Sequence, residues 1–254
     1  MSPALQLLIL CPLIFVAAFI DSVSGGGGLI ALPAYMMVGL PVHNAYANNK
    51  LSSWAGLTIS SAVFIKNKAV NFKIAIFAMV GALVGAGAGS KLALMFDDRY
   101  LKMVLLIALP FIAAYLLFFK KDQVSAPKQY SKVVQAVLSI ILGLVIGTYD
   151  GFIGPGAGTF YILSLTAVMG LSLKEASGTA KIINYASNTA ALAVYLLNGK
   201  FMFFYAVPAA ISGILGSFVG SRLAIKGGAK IIRPFMLCVL ALMLFKLAYD
   251  IFNA

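Results

Sequence analysis

The chain has 254 residues, of which 62% are hydrophobic and 10% charged, with a mean hydropathy of +1.00 and a formal net charge of +12. A soluble domain of this length needs a polar surface that such a composition cannot supply, so residues 1–254 read as a single integral membrane domain. The cations are scattered through short loops and not gathered on one stripe with interleaved aromatics, which argues against nucleic acid and for a role in orienting the chain in a lipid bilayer and attracting anions.

In chain order, Met1-Ser2-Pro3 carries no positive segment, and the apolar run 5–20 leads into a glycine motif that recurs later. It is read as mature structure and not as a cleaved signal peptide. Residues 24–28 interrupt the run, and it resumes over 29–39. Eleven helical residues rise about 16 Å, roughly half the hydrocarbon core. Such a piece predicts a broken helix or re-entrant hairpin, tolerated only where protein or a wet cavity covers the exposed backbone. The runs 45–65, 74–94 and 100–119 are each long enough to span. A polar linker at 120–132 precedes a second apolar run at 133–149, a second break at 151–158 and a second short run to Gly170. The runs 176–197, 201–224 and 231–252 complete the chain.

The order of elements repeats because the sequence does. A shift of 131 residues lays Gly39-Leu40, Ala45, Lys50, Thr58, Asn67, Gly85 and Gly89-Ser90 on Gly170-Leu171, Ala176, Lys181, Thr189, Asn198, Gly216 and Gly220-Ser221. With a two-residue gap, Asp21 and Gly25 fall on Asp150 and Gly154. The predicted fold is therefore all-α, with two pseudo-symmetric repeats, 1–119 and 133–254, joined by the linker 120–132. Each repeat is expected to hold three to four spanning helices plus a Gly-broken half-helix or re-entrant segment. If the repeats are inverted, the loop cations divide eleven to five across the membrane; a parallel arrangement divides them seven to nine. Only inversion gives a clear positive-inside bias, so inverted repeats are expected. Gly81, Gly85 and Gly89, with Ser212, Gly216 and Gly220 opposite them in the repeat, form small-residue faces that read as close helix packing and not as chemistry.

Candidate chemistry lies in the repeated polar positions. Lys50 and Lys181 each stand inside an apolar run, near hydroxyls or amides. A lone lysine near a helix end can snorkel to the headgroups; two at equivalent positions favour a shared anion site. Helical spacing puts Lys50, Ser53 and Trp54 on one face, and Lys181, Asn184, Tyr185 and Asn188 on another. Each repeat thus offers a cation, a hydrogen-bonding group and an aromatic ring to an oxyanion with an organic tail. Asn48 and Asn49 are expected to include a cap for the helix start. The breaks containing Gly25, Gly26 and Gly27, and Gly154 and Gly156, precede short helices whose free N–H groups would bind an anion. They are not nucleotide loops, since no Gly-Lys-Ser/Thr follows and no strand precedes. Asp21 and Asp150 stand just before the breaks. They read equally as proton-coupling groups or as carboxylates that cap the break or pair permanently with lysine.

Two cysteines at non-equivalent positions, Cys11 and Cys238, make a disulfide framework or zinc site unattractive, and one histidine, His43, excludes a His-rich metal site. No metal and no cofactor are expected. Without a His cluster, a Cys–His pair or neighbouring carboxylates, an enzyme is not expected either.

The motifs Gly25-Gly26-Gly27-Gly28-Leu29-Ile30-Ala31-Leu32-Pro33 and Asn49-Lys50 with Ser52-Ser53, and their counterparts Gly154-Pro155-Gly156-Ala157-Gly158 and 176–188, resemble the TauE/SafE sulfite exporter family, also called the 4-toluene sulfonate uptake permease family. The likeness covers nearly the whole chain. It implies a multi-pass protein of the prokaryotic inner membrane that moves sulfur-containing or related organic anions such as sulfite, sulfoacetate or sulfonates. The second motif has Gly-Pro-Gly where the first has four glycines, so the half-sites need not be equal. The combined reading is a secondary transporter, with export as the expected direction, working by alternating access and using protons as a candidate coupling ion. An anion channel without ion coupling is the alternative.

Overall fold

A computed structural model describes residues 2–97, 100, 130–228, 230–232 and 234–235. Apart from a few residues at their ends, the predicted spans 100–119 and 231–252 and the linker 120–132 lie outside the described residues, as does Cys238. The described residues form eight helices and no strand: α1 (Pro3–Ser24), α2 (Gly28–Met37), α3 (Val42–Lys66), α4 (Phe72–Leu94), α5 (Lys132–Phe152), α6 (Ala157–Met169), α7 (Leu173–Leu197) and α8 (Phe203–Gly227).

Local chemistry sets the ends. Ser2, Asn71, Ser131 and Ser172 each accept a hydrogen bond from the third residue onward and so cap α1, α4, α5 and α7. Because Pro41 and Ser172 precede them, α3 and α7 begin earlier than the apolar runs at 45 and 176. This corrects two expectations. Asn48 and Asn49 do not cap their own helix, and Lys50 and Lys181 stand more than two turns inside theirs. Asn48 instead accepts from Met202 N–H at 3.1 Å, at the start of α8. Its repeat counterpart Thr179 accepts from Asn71 N–H at 2.9 Å, at the start of α4. The second break is also shorter than expected, since α5 runs on through Asp150 and Gly151 to Phe152.

Among the described residues, four helices are long and apolar enough to cross a membrane: α1, α4, α5 and α8. Their outward sides carry Leu8, Val80, Val84, Val145, Val207 and Leu215. The 25-residue helices α3 and α7 are long enough to span but too polar to qualify by composition. Packing explains the difference. These two helices touch each other and are flanked by α8 and α4, so their polar residues face protein. The short α2 and α6 lie beside them, as half-length pieces.

The two halves of the chain interlock. In them α1 packs on α8, and α4 on α5. Small residues allow these approaches. A Cβ at Gly81, Gly85 or Gly89 would strike a carbonyl oxygen of Ile140, Leu144 or Thr148, and one at Gly216 or Gly220 would strike Phe15 or Phe19. On α5, Gly143, Gly147 and Gly151 return the contact to Ala78, Ala82 and Ala86.

Candidate functional site

The two glycine breaks touch each other. Gly25 ends α1 with φ 84°, and its N–H bonds to Asp21 O at 2.7 Å. A Cβ on Gly25 would strike the backbone of Gly158, and one on Gly158 would strike Gly25. Only glycine allows both the left-handed turn and this approach. Thr159 fixes the junction, its N–H donating to Gly25 O at 3.3 Å and its hydroxyl to Ser24 O at 2.8 Å. Around the junction, the amides of Gly26, Gly28, Gly156 and Gly158 make no hydrogen bond to any described residue. Two short helices thus start beside each other with unspent N–H groups.

Both lysines are buried here, at 2% and 1% exposure, so neither snorkels outward. Each pairs with the aspartate of the other repeat. Lys50 on α3 donates to Asp150 Oδ1 at 2.9 Å and to Asp150 O at 2.7 Å. Lys181 on α7 donates to Asp21 O and lies 3.7 Å from Asp21 Oδ2. Two cations and two carboxylates therefore sit together with balanced formal charge, as burial of charge demands.

A small polar cavity lies among them, lined by Asp21, Gly25, Lys50, Ser53, Asp150, Gly154, Gly156, Asn184 and Asn188 from the expected set. About 20 Å³ of it is open to the centre of a water molecule, room for about one or two waters. Lys181, Gly26, Gly27, Trp54 and Tyr185 do not line it. The Gly27 amide donates to Asp21 Oδ1 at 3.3 Å. Trp54 and Tyr185, equivalent positions of the repeat, stack on each other with ring centroids 5.6 Å apart, and Trp54 Nε1 donates to Thr189 Oγ1 at 3.0 Å.

Four lining residues were not among the expected ones: Gly28, Asn49, Ala157 and Gly158. Ser187 was missed too, and it donates to Asp150 Oδ2. It follows Asn184 by three residues on the same side of α7, a spacing that pointed to it. The side-chain nitrogens of Asn49 and Asn184, which also line the cavity, donate no hydrogen bond to any described residue. The wall thus presents donors to whatever enters.

A bundle of apolar helices around a buried, charge-balanced polar centre defines a multi-pass membrane protein. The model of the sulfite exporter TauE/SafE family matches residues 10–247, and the chain belongs to that family. It is 32% identical over 236 residues to a probable membrane transporter protein of Haemophilus influenzae, covering 93% of this chain and 92% of the relative. It is 35% identical over 234 residues to the probable membrane transporter protein YfcA of Escherichia coli K12, covering 92% and 86%. It is 33% identical over 236 residues to the probable membrane transporter protein ORF9 of a Sinorhizobium species, covering 93% and 90%. No solved structure gives a significant match. The chain is a membrane transporter of this family.

Proposed function

We propose that the chain is a secondary transporter of small sulfur-containing or organic anions, such as sulfite or a sulfonate, working by alternating access from the cavity between the repeats. The observation that carries this reading is the reciprocal pairing of Lys50 with Asp150 and Lys181 with Asp21 beside four unspent glycine amides. The Gly28, Gly156 and Gly158 amides, the Asn49 and Asn184 side chains and the Lys50 ammonium supply donors and positive charge on several sides of one small volume, with Lys181 behind its wall beside Asp21. The substrate class follows the family's description, which names sulfite and export. Sulfite and sulfonates present three oxygens, which suits a wall made of donors.

The cavity is smaller than such an anion, so binding requires it to widen and the ion pairs to loosen. Helices α3 and α7 belong to different repeats and meet at the site, so a relative tilt of the repeats would open it from one side or the other. The repeats are inverted in this reading, and the membrane is the inner membrane.

The test is uptake of radiolabelled sulfite and methanesulfonate by purified protein in liposomes. Saturable uptake by the wild type and loss of it in a folded Lys50→Gln protein are the expected results. Unchanged uptake by Lys50→Gln would remove Lys50 from the site. Unsaturable flux carried as current would replace the carrier by a channel.

A further inference from the structure

We infer that Asp21, and not its counterpart Asp150, takes up a proton when the anion binds, so that transport is an anion–proton symport. This rests on the anion site proposed above and adds which group keeps its charge balanced.

The resting site holds two lysines and two aspartates and carries no net charge. A monoanion entering it adds one negative charge in a medium that solvates charge poorly. One proton delivered to one carboxylate restores neutrality and leaves one lysine charge to balance the anion.

The two carboxylates differ in how they are held. Asp150 is 3% exposed, and both its oxygens are engaged: Oδ1 by Lys50 at 2.9 Å, Oδ2 by Ser187 and by Asn188 Nδ2 at 3.4 Å. Asp21 has a side chain 20% exposed. Its Oδ1 takes one long bond from Gly27 N–H at 3.3 Å, and Lys181 stands 3.7 Å from Oδ2, having spent a hydrogen bond on the Asp21 backbone oxygen. Protonating Asp150 would sacrifice an ion pair with hydrogen-bonding geometry, whereas protonating Asp21 sacrifices a loose one.

Asp21 also borders a second cavity, formed by α1, α2, α3 and α8, where Ser52, Ser53 and Ser217 face Ile14, Ala17, Ala18 and Ala31. Asp21 and Ser53 line both cavities. The charged groups around Asp21 are Lys181 from α7 at 3.7 Å and, across the anion cavity, the Lys50–Asp150 pair from α3 and α5. Helices α2, α6 and α8 add no charged side chain to either cavity; Tyr35 of α2 spends its hydroxyl on Ser52 and Asn48 O.

The step balances simply. A proton from water adds to the Asp21 carboxylate and makes the neutral acid. Lys181 keeps its proton, and its positive charge, beside Asp21 at the cavity wall, then balances the charge of the anion. Release of the anion returns the Asp21 proton to water, and no other bond changes. An inward proton gradient then drives uptake, and export proceeds only where the anion's own outward gradient is the larger.

The test uses full-length protein in liposomes containing a pH-reporting dye, with methanesulfonate as probe because it carries no titrating proton of its own. The wild type is expected to acidify the lumen as the anion enters, at one proton per anion. Its influx is expected to fall about tenfold per pH unit on the alkaline side. Asp21→Asn, which mimics the protonated acid, is expected to slow exchange of labelled methanesulfonate and to leave the remaining exchange without pH dependence or acidification. Asp21→Glu restores both. Asp150→Asn loses exchange. Anion influx by the wild type without proton movement would overturn the symport and leave the anion site standing. Retained pH dependence in a folded Asp21→Asn protein would overturn the choice of residue. Absence of methanesulfonate and sulfite transport in the wild type would overturn the proposed function, and the symport with it.

Discussion

At the scale of single residues, the buried ion pairs separate stability from transport. Removing Lys50 leaves the Asp150 charge buried without its cation, a defect that costs about 3–5 kcal/mol. Removing both partners as Lys50→Met with Asp150→Asn leaves no stranded charge. We expect Lys50→Met to lower the unfolding temperature in detergent strongly, the double variant to recover most of that loss, and neither to transport. A double variant as unstable as the single one would show that the loss does not come from a stranded Asp150 charge. Ser187→Ala removes one donor from Asp150 and leaves Asn188 in place. Its expected cost is about 1–3 kcal/mol, measured by the same melting experiment.

At the scale of the helix, close approach without side chains holds α4 to α5 and α1 to α8. Gly85 faces the Leu144 carbonyl, whereas nothing lies within 4 Å of a Cβ built on Gly87. Gly85→Ala is expected to destabilise by about 1–3 kcal/mol through forced separation of the helices. Gly87→Ala is expected to be neutral or to stabilise by up to about 1 kcal/mol, as helix propensity gains without a clash. Equal effects of the two in a thermal melt would refute the packing role. This face was legible in the sequence because spacing by four has a simple helical meaning, as were the breaks at Gly25 and Gly154, where glycine clusters interrupt apolar runs. The true starts of α3 and α7 were less legible, although Ser172 with Glu175 has the spacing of a capping box. The partnership of Lys50 with Asp150 could not be read at all, because contact between residues 100 apart depends on how helices pack and not on local periodicity. The polarity of α3 and α7, which weakens them as apparent spans, was in fact the mark of the site.

At the scale of the whole molecule, the equivalent turns after α3 and α7 report on orientation. Asn67 and Asn198 follow 25-residue helices, are exposed, and each bonds back to a carbonyl four residues earlier at 2.8 Å. In a cysteine-free background lacking Cys11 and Cys238, Asn67→Cys and Asn198→Cys are expected to react with a membrane-impermeant thiol reagent from opposite faces of the membrane. Labelling of both from one face would make the repeats parallel. The crossed partnership of charges also bears on biosynthesis. When the ribosome has delivered the first repeat, Asp21 and Lys50 are complete while Lys181 and Asp150 are still untranslated. A nascent α3 then carries an unmatched ammonium and several amides, so it is a poor candidate for early release from the insertion machinery into bare lipid. Its settlement must await α5 and α7, which makes the second half of the polypeptide a template that finishes the first.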